Sequence, residues 1–303
     1  MEPETIILTG ARGRLSSVLA QELGGNVVSV SRTGGGNCIL YEDLFQSGLL
    51  ARSGVLLHCA WSSVPTTAES HPESTWTEDL PLMAKLLSEM AKAPAKSRPL
   101  FVFFSSGGAI YGERRTPAVE TDEPAPHGWY GVGKLAGEHL LHSFAERSGI
   151  ETCTLRISNP YGFSFAPEKP QGIVGAALHA VKTGRPMDLL GAGVSKKDFL
   201  HVEDLASAIR AVIEKRPTGC FNICSGRSIA IAEMLATIEA AIGRNVPVVS
   251  VPAAGWDVQS SMLSREKFES ATGWTPRWSL DAGVASVASA AMREGWPAAR
   301  NPT

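Results

Sequence analysis

Short, almost unbroken apolar runs alternate with longer amphipathic stretches through the first part of the chain. Runs 5–8, 27–30, 55–59, 101–104 and 152–157 contain few polar positions and many β-favouring residues, the pattern of strands buried on both faces of a parallel sheet. The stretches 15–23, 76–90 and 134–147 carry helical periodicity. In the last of them Leu135, Leu140, Leu141 and Phe144 share one stripe. This alternation predicts an α/β fold built on a Rossmann-type doubly wound parallel sheet. After about Tyr161 the pattern loosens. Helices are expected at 172–183, 203–214, 231–242 and 265–271, among Gly- and Pro-containing segments and short strands at 186–190 and 248–251. We therefore expect a large domain over 1–165, with later strand contributions, a smaller C-terminal lobe over 166–303, and a frayed tail from Trp296.

Composition narrows the function classes. A formal net charge of −2 over 303 residues lacks the basic excess or stripe of a nucleic-acid binder. No uncharged apolar run reaches the length of a bilayer span, and the chain enters its first strand without a leader-like segment. Cys38, Cys59, Cys153, Cys220 and Cys224 are scattered, with neither CxxC nor Cys/His metal spacing. Such a set reads as reduced thiols in a cytoplasmic protein without a metal centre.

The first strand runs into Thr9-Gly10-Ala11-Arg12-Gly13-Arg14-Leu15-Ser16 directly before a helix. A glycine-bearing turn there lets backbone approach a pyrophosphate, which the free amides of the helix N-terminus then stabilise. A tight strand–helix turn is the plainer alternative. The position after the second strand, where a carboxylate would bind the ribose 2′-hydroxyl of NAD, holds Ser31-Arg32. Together with Arg12 this suits a 2′-phosphate, so NADP is favoured over NAD, unless both arginines are simply solvated. Tyr130 and Lys134 stand four apart at the start of a helical stretch, on one helical face. Activating a phenol of pKa near 10 at neutral pH needs a fall of about 3 units, for which a nearby ammonium and a cationic cofactor ring are sources. Ser105-Ser106 closes the preceding strand, where a hydroxyl could complete the site.

With these residues in place the chain resembles the extended short-chain dehydrogenases, the nucleotide-sugar epimerases, dehydratases and ketoreductases. The likeness runs from 5 to about 283 and rests on an ordered series: TGARGRL at 9–15, HCA at 58–60, SSGGAIYG at 105–112, YGVGK at 130–134, RISNPYG at 156–162, KDFLHVEDLA at 197–206, FNICSG at 221–226 and TGWTPRWSL at 272–280. It implies that Tyr130 is the general acid/base, that Lys134 holds the nicotinamide ribose and lowers the phenol, and that Ser106 hydrogen-bonds the reacting oxygen. It places Gly10, Arg12, Gly13, Arg14, Leu15, Arg32, Cys59, Ala60 and Ile157 along the cofactor, with Asn159 and Lys197 facing the diphosphate of a nucleotide-diphosphate sugar. A homodimer through helices 76–90 and 134–147 is implied as well.

Departures from the family pattern are concentrated near the site. The usual catalytic Ser/Thr position is Gly107, with space expected beside Ser106. Asp79 stands where Asn is common, and Trp61 where a small residue is. Lys197 replaces an arginine, and the second diphosphate arginine is missing from Ala253-Ala254-Gly255-Trp256. His201 and Asp204 are expected to orient the lobe junction rather than to catalyse. The expected function is an NAD(P)-dependent nucleotide-sugar 4-epimerase. An NADPH-dependent 4-ketoreductase and a non-catalytic, cofactor-sensing interaction protein are the alternatives.

Overall fold

The structure is a computed structural model that describes residues 4–164 and 172–293. The tail from Trp296 lies outside the described residues. Strand β1 (Ile6–Thr9) leads through α1 (Arg14–Leu23) to β2 (Val27–Ser31), β3 (Cys38–Leu40) and the short helix α2 (Tyr41–Gln46). Next come β4 (Val55–His58), α3 (Pro65–Ser70), a π-helical turn at Thr75–Asp79, and α4 (Leu80–Lys92). They are followed by β5 (Leu100–Ser106), the single turn α5 (Gly107–Ile110), the long α6 (Trp129–Ser148) and β6 (Thr152–Ile157).

These strands form one seven-stranded sheet, completed by a strand from far along the chain. Its order is β3-β2-β1-β4-β5-β6 and then residues Gly219–Ile223, and all neighbours are parallel. Chain order reverses between β1 and β4, so a crevice opens at their carboxyl ends, where open α/β sheets bind ligands. Alternate strand residues feed two cores. Ile6, Leu8, Leu57, Val102 and Phe104 pack on one face with Leu19 of α1. Ile7, Leu56, Phe101 and Phe103 pack on the other with Met83, Leu86 and Leu87 of α4 and Leu141 of α6. The continuous apolar strands are thus explained by helices covering both faces.

The remaining elements in chain order are β7 (Asn159–Tyr161), α7 (Gly172–Thr183), β8 (Met187–Leu190), β9 (Lys196–His201), α8 (Val202–Lys215), β10 (Gly219–Ile223), β11 (Ser228–Ala230), α9 (Ile231–Ile242), β12 (Val248–Val251), α10 (Glu266–Thr272) and α11 (Leu280–Arg293). Helix α8, strand β10 and helix α10 return to the large sheet, where Leu205, Ile209, Phe221 and Phe268 join its first core. A separate core gathers Tyr161, Leu178, Phe199, Met234, Ile238 and Val284 from α7, α9, α11 and the sheet β11-β9-β7.

His201 and Asp204 tie the start of α8 to the segment before α11. His201 caps α8, its Nδ1 accepting from the Glu203 amide at 3.3 Å, and its ring stacks on Trp278 with centroids 4.1 Å apart. Asp204 accepts from the amides of Arg277 and Trp278 at 2.9 and 3.0 Å. Among the described residues no helix is long and apolar enough to cross a membrane.

Candidate active site

The turn after β1 is shaped for close approach. Gly10 adopts φ +69°, and a Cβ there would lie 2.7 Å from the Ala60 Cα, so only glycine lets this turn lie against the end of β4. Gly13 precedes α1 with no side-chain cap, leaving the first amides of a ten-residue helix available to an anion. Below the turn, Thr9 Oγ1 meets His58 Nδ1 at 2.9 Å. Burial, and secondarily the Lys134 charge, lower His58 to about 3, so it is a neutral strut.

A cavity of about 520 Å³ extends from this turn along the ends of β1, β2 and β4. Gly10, Arg12, Gly13, Ser31, Arg32, Thr33, Tyr41, Cys59, Ala60, Trp61, Ser62, Glu78 and Asp79 all line it. The Ser31 hydroxyl is buried on this wall with no hydrogen-bond partner among the described residues. An uncapped helix start, a glycine cradle and an unmet hydroxyl fit an elongated phosphate-bearing ligand such as a dinucleotide.

Helix α6 brings up the chemical groups. Lys134 is 4% exposed, donates to the Phe104 carbonyl at 2.8 Å, and holds its ammonium 3.9 Å from the Trp61 ring centroid and 5.7 Å from that of Tyr130. Phe104 lies two residues before Ser106, so this one bond ties the Tyr130–Lys134 face to the end of β5. Burial lowers Lys134 to about 7, with Asp79 the leading opposing charge. The Tyr130 hydroxyl moves the other way, to about 12, through burial first and the Asp79 carboxylate second. Neither burial nor the Asp79 carboxylate favours the phenolate here.

Asp79 is itself buried and held by Ser62, whose amide and hydroxyl each donate at 2.8 Å. Burial raises its pKa against those two bonds. Behind the site a buried network fixes α6 to the strands. Ser105 donates to Glu138 at 2.6 Å, Glu138 pairs with Arg156 at 2.7 Å, and Arg156 donates to the Tyr111 hydroxyl at 2.8 Å.

Other positions read from the sequence are packed or already partnered. The space expected at Gly107 is filled, because a Cβ there would sit 2.4 Å from Leu263 Cδ1 and 3.0 Å from the Arg156 carbonyl. Leu15 and Ile157 belong to the core around the sheet, and Arg14 reaches the Ser164 carbonyl and the Phe163 ring rather than the cavity. Asn159 donates to the Asp198 carbonyl at 3.0 Å. Lys197 pairs with Asp257 at 2.7 Å and also donates to the Val258 carbonyl. Arg12 donates to Thr33 at 2.7 Å, and Arg32 pairs with Glu78. Sequence reasoning gave no role to Glu78, Ser62, Glu138 or Leu263. Only Glu78, an acid beside the flagged Asp79, carried any local signal.

Comparison with known proteins places this geometry. The dTDP-4-dehydro-6-deoxyglucose reductase of Escherichia coli is 30% identical over 184 residues, which is 60% of this chain and 58% of that enzyme. The chain thus spans less than two thirds of the length of that relative. The UDP-glucose 4-epimerase of Streptomyces lividans is 27% identical over 89% of this chain and 91% of its own. A UDP-glucose 4-epimerase of Thermotoga maritima, solved with UDP-glucose, superposes with a TM-score of 0.85 at 26% identity, covering 96% of this chain and 99% of that one. The model of the NAD dependent epimerase/dehydratase family matches residues 6–224, and the chain belongs to that family.

Proposed function

We propose that the protein is a nucleotide-sugar 4-epimerase that uses a nicotinamide dinucleotide bound in the cavity at the ends of β1, β2 and β4. The observation that carries this reading is the bond from Lys134 to the Phe104 carbonyl, which ties the Tyr130–Lys134 face of α6 to β5 two residues before Ser106, while the Lys134 ammonium faces Trp61, a residue of the cavity wall. The near full-length likeness to a 4-epimerase supports the same choice. When bound, the nicotinamide supplies hydride exchange at the sugar carbon. Tyr130 moves the proton of the 4-hydroxyl, Ser106 hydrogen-bonds the same oxygen, and Lys134 holds the adjoining ribose. Cys59 and Ala60 form the wall along which the cofactor lies. The nucleotide diphosphate is expected near Asn159 and Lys197. The Asp257 carboxylate on Lys197 supports a weaker diphosphate grip than two free arginines would give.

Arg12 and Arg32 support NADP over NAD, and the scattered free cysteines support a cytoplasmic setting. An apolar groove between α4 and α6 supports a homodimer. A 4-ketoreductase remains the second reading, favoured by the reductase likeness and by the arginines, which suit an exchanging NADPH. The retained Tyr130–Lys134 pair argues against a non-catalytic role.

The deciding experiment offers 4-hydroxy and 4-keto nucleotide sugars with NADPH deuterated at C4 of the nicotinamide. Interconversion of the C4 epimers without net NADPH oxidation is expected, and Tyr130→Phe should slow it by about 10²-fold or more. Stoichiometric NADPH oxidation with deuterium in the sugar would reject the epimerase in favour of the reductase.

A further inference from the structure

Dinucleotide folds read the ribose 2′ position at the end of the second strand, where a carboxylate accepts from a hydroxyl and an arginine pairs with a phosphate. In this chain β2 ends at Ser31 and the next residue is Arg32. No acid follows on that strand, yet an acid is present in space. The guanidinium of Arg32 is ion-paired with the carboxylate of Glu78, and both side chains line the cavity beside Ser31 and Thr33.

Glu78 reaches this position because of the turn that carries it. The segment Thr75–Asp79 is a π-helical turn at the foot of α4, and its last residue is pinned by the two Ser62 bonds of 2.8 Å. The backbone presenting Glu78 is therefore anchored to the loop after β4, one residue beyond the cavity wall at Trp61. Arg12, at the same mouth, is turned onto the Thr33 hydroxyl at 2.7 Å. Glu42, Asp79 and Lys85 carry the other carboxyl and amino groups on the lining.

We propose that Glu78 is a cofactor-selecting residue: delivered from the turn before α4, its carboxylate engages Arg32 and opposes a 2′-phosphate. Cofactor choice is then set by a charge pair across the cleft, and the preference for NADP is smaller than Arg12 and Arg32 alone would produce. This inference rests on the reading of the cavity as a dinucleotide site.

The test equilibrates the protein with equimolar NAD⁺ and NADP⁺, removes free nucleotide and measures the bound ratio by chromatography. Glu78→Gln removes one negative charge near a dianionic phosphate and should raise the bound NADP⁺/NAD⁺ ratio about tenfold. Glu78→Asp, which keeps the charge, should stay within about threefold of wild type, and Arg32→Ala should move the ratio towards NAD⁺. Both altered side chains are largely exposed, so unchanged thermal unfolding is expected. A Glu78→Gln ratio within about threefold of wild type, or equal loss of both nucleotides, overturns the inference while leaving the cavity reading intact. Retention of neither nucleotide by the wild type overturns the cavity reading, and the inference with it.

Discussion

Lys134 is a buried ammonium held by one neutral carbonyl among the rings of Trp61, Phe103 and Tyr130, and that makes its titration readable as stability. Burial brings it to about 7 in the folded protein, from an ordinary value of 10.5. Between those values the unfolded chain holds the proton and the folded chain releases it, so stability rises with pH across that window. The cost of the buried charge is fully present below about pH 7. Lys134→Met has no such proton to release. Between pH 7 and 10 the wild type should therefore gain about 2–4 kcal/mol on the variant in urea unfolding. A gap that stays constant with pH would show that Lys134 is not buried in this way. At this scale Tyr130, Lys134 and the glycine turn were legible, because each motif is local. Trp61, singled out as a departure near the site, does line the cavity; the Ser62–Asp79 pair and the Leu263 side chain that fills the Gly107 position were not legible, since each contact joins distant elements.

Helix α6 shows how packing can hold poor helix formers in an element's first turn. Periodicity predicts the body at 134–147 with Tyr130–Lys134 opening it, and the helix runs Trp129–Ser148. Its first turn contains Gly131 and Gly133, each disfavoured in a helix by about 1 kcal/mol relative to alanine. Packing overrides that preference. A Cβ on Gly131 would lie 2.4 Å from the Ala109 carbonyl oxygen and 2.8 Å from Pro126 Cβ, and one on Gly133 would lie 2.8 Å from Thr75. These glycines let α6 close on α5 and on the π-helical turn, which positions Tyr130. Gly131→Ala should therefore destabilise by about 1–3 kcal/mol despite its better helix propensity. It should also lower turnover more than it lowers cofactor retention, as read by thermal unfolding, kinetics and bound-nucleotide analysis. A net gain in stability would mean that the α5–α6 contact yields freely. The central strands were legible because both faces are covered and the runs are continuously apolar. Strand β9 was missed because it opens Lys196-Lys197-Asp198, and β3 and β11 because three residues carry no period.

On the scale of the whole molecule, α6 has two working faces. Tyr130, Lys134 and Gly137 turn towards the sheet and Trp61, while Ala136, His139, Leu140 and Ser143 line a groove of about 500 Å³ on the outside. The other wall is Trp76, Leu80, Pro81 and Ala84, and Trp76 is 46% exposed. The spacing 136, 139, 140, 143 is one helical stripe in which Ala136, Leu140 and Ser143 are small or apolar and His139 is polar, a mixed surface that can pack against another helix. In the homodimer we propose, a second copy related by a two-fold axis would supply the same stripe in reverse and make a four-helix contact, so that any change on this face would be met twice. Ala84→Arg places two guanidiniums and their added volume in that contact. It should weaken dimerisation by about 10²-fold or more, converting a dimer to a monomer in sedimentation at micromolar concentration. Because the stripe shares its helix with Tyr130, the monomer should keep its cofactor and lose part of its turnover. A wild type that sediments as a monomer, or an Ala84→Arg protein that stays dimeric, would remove this face from the assembly.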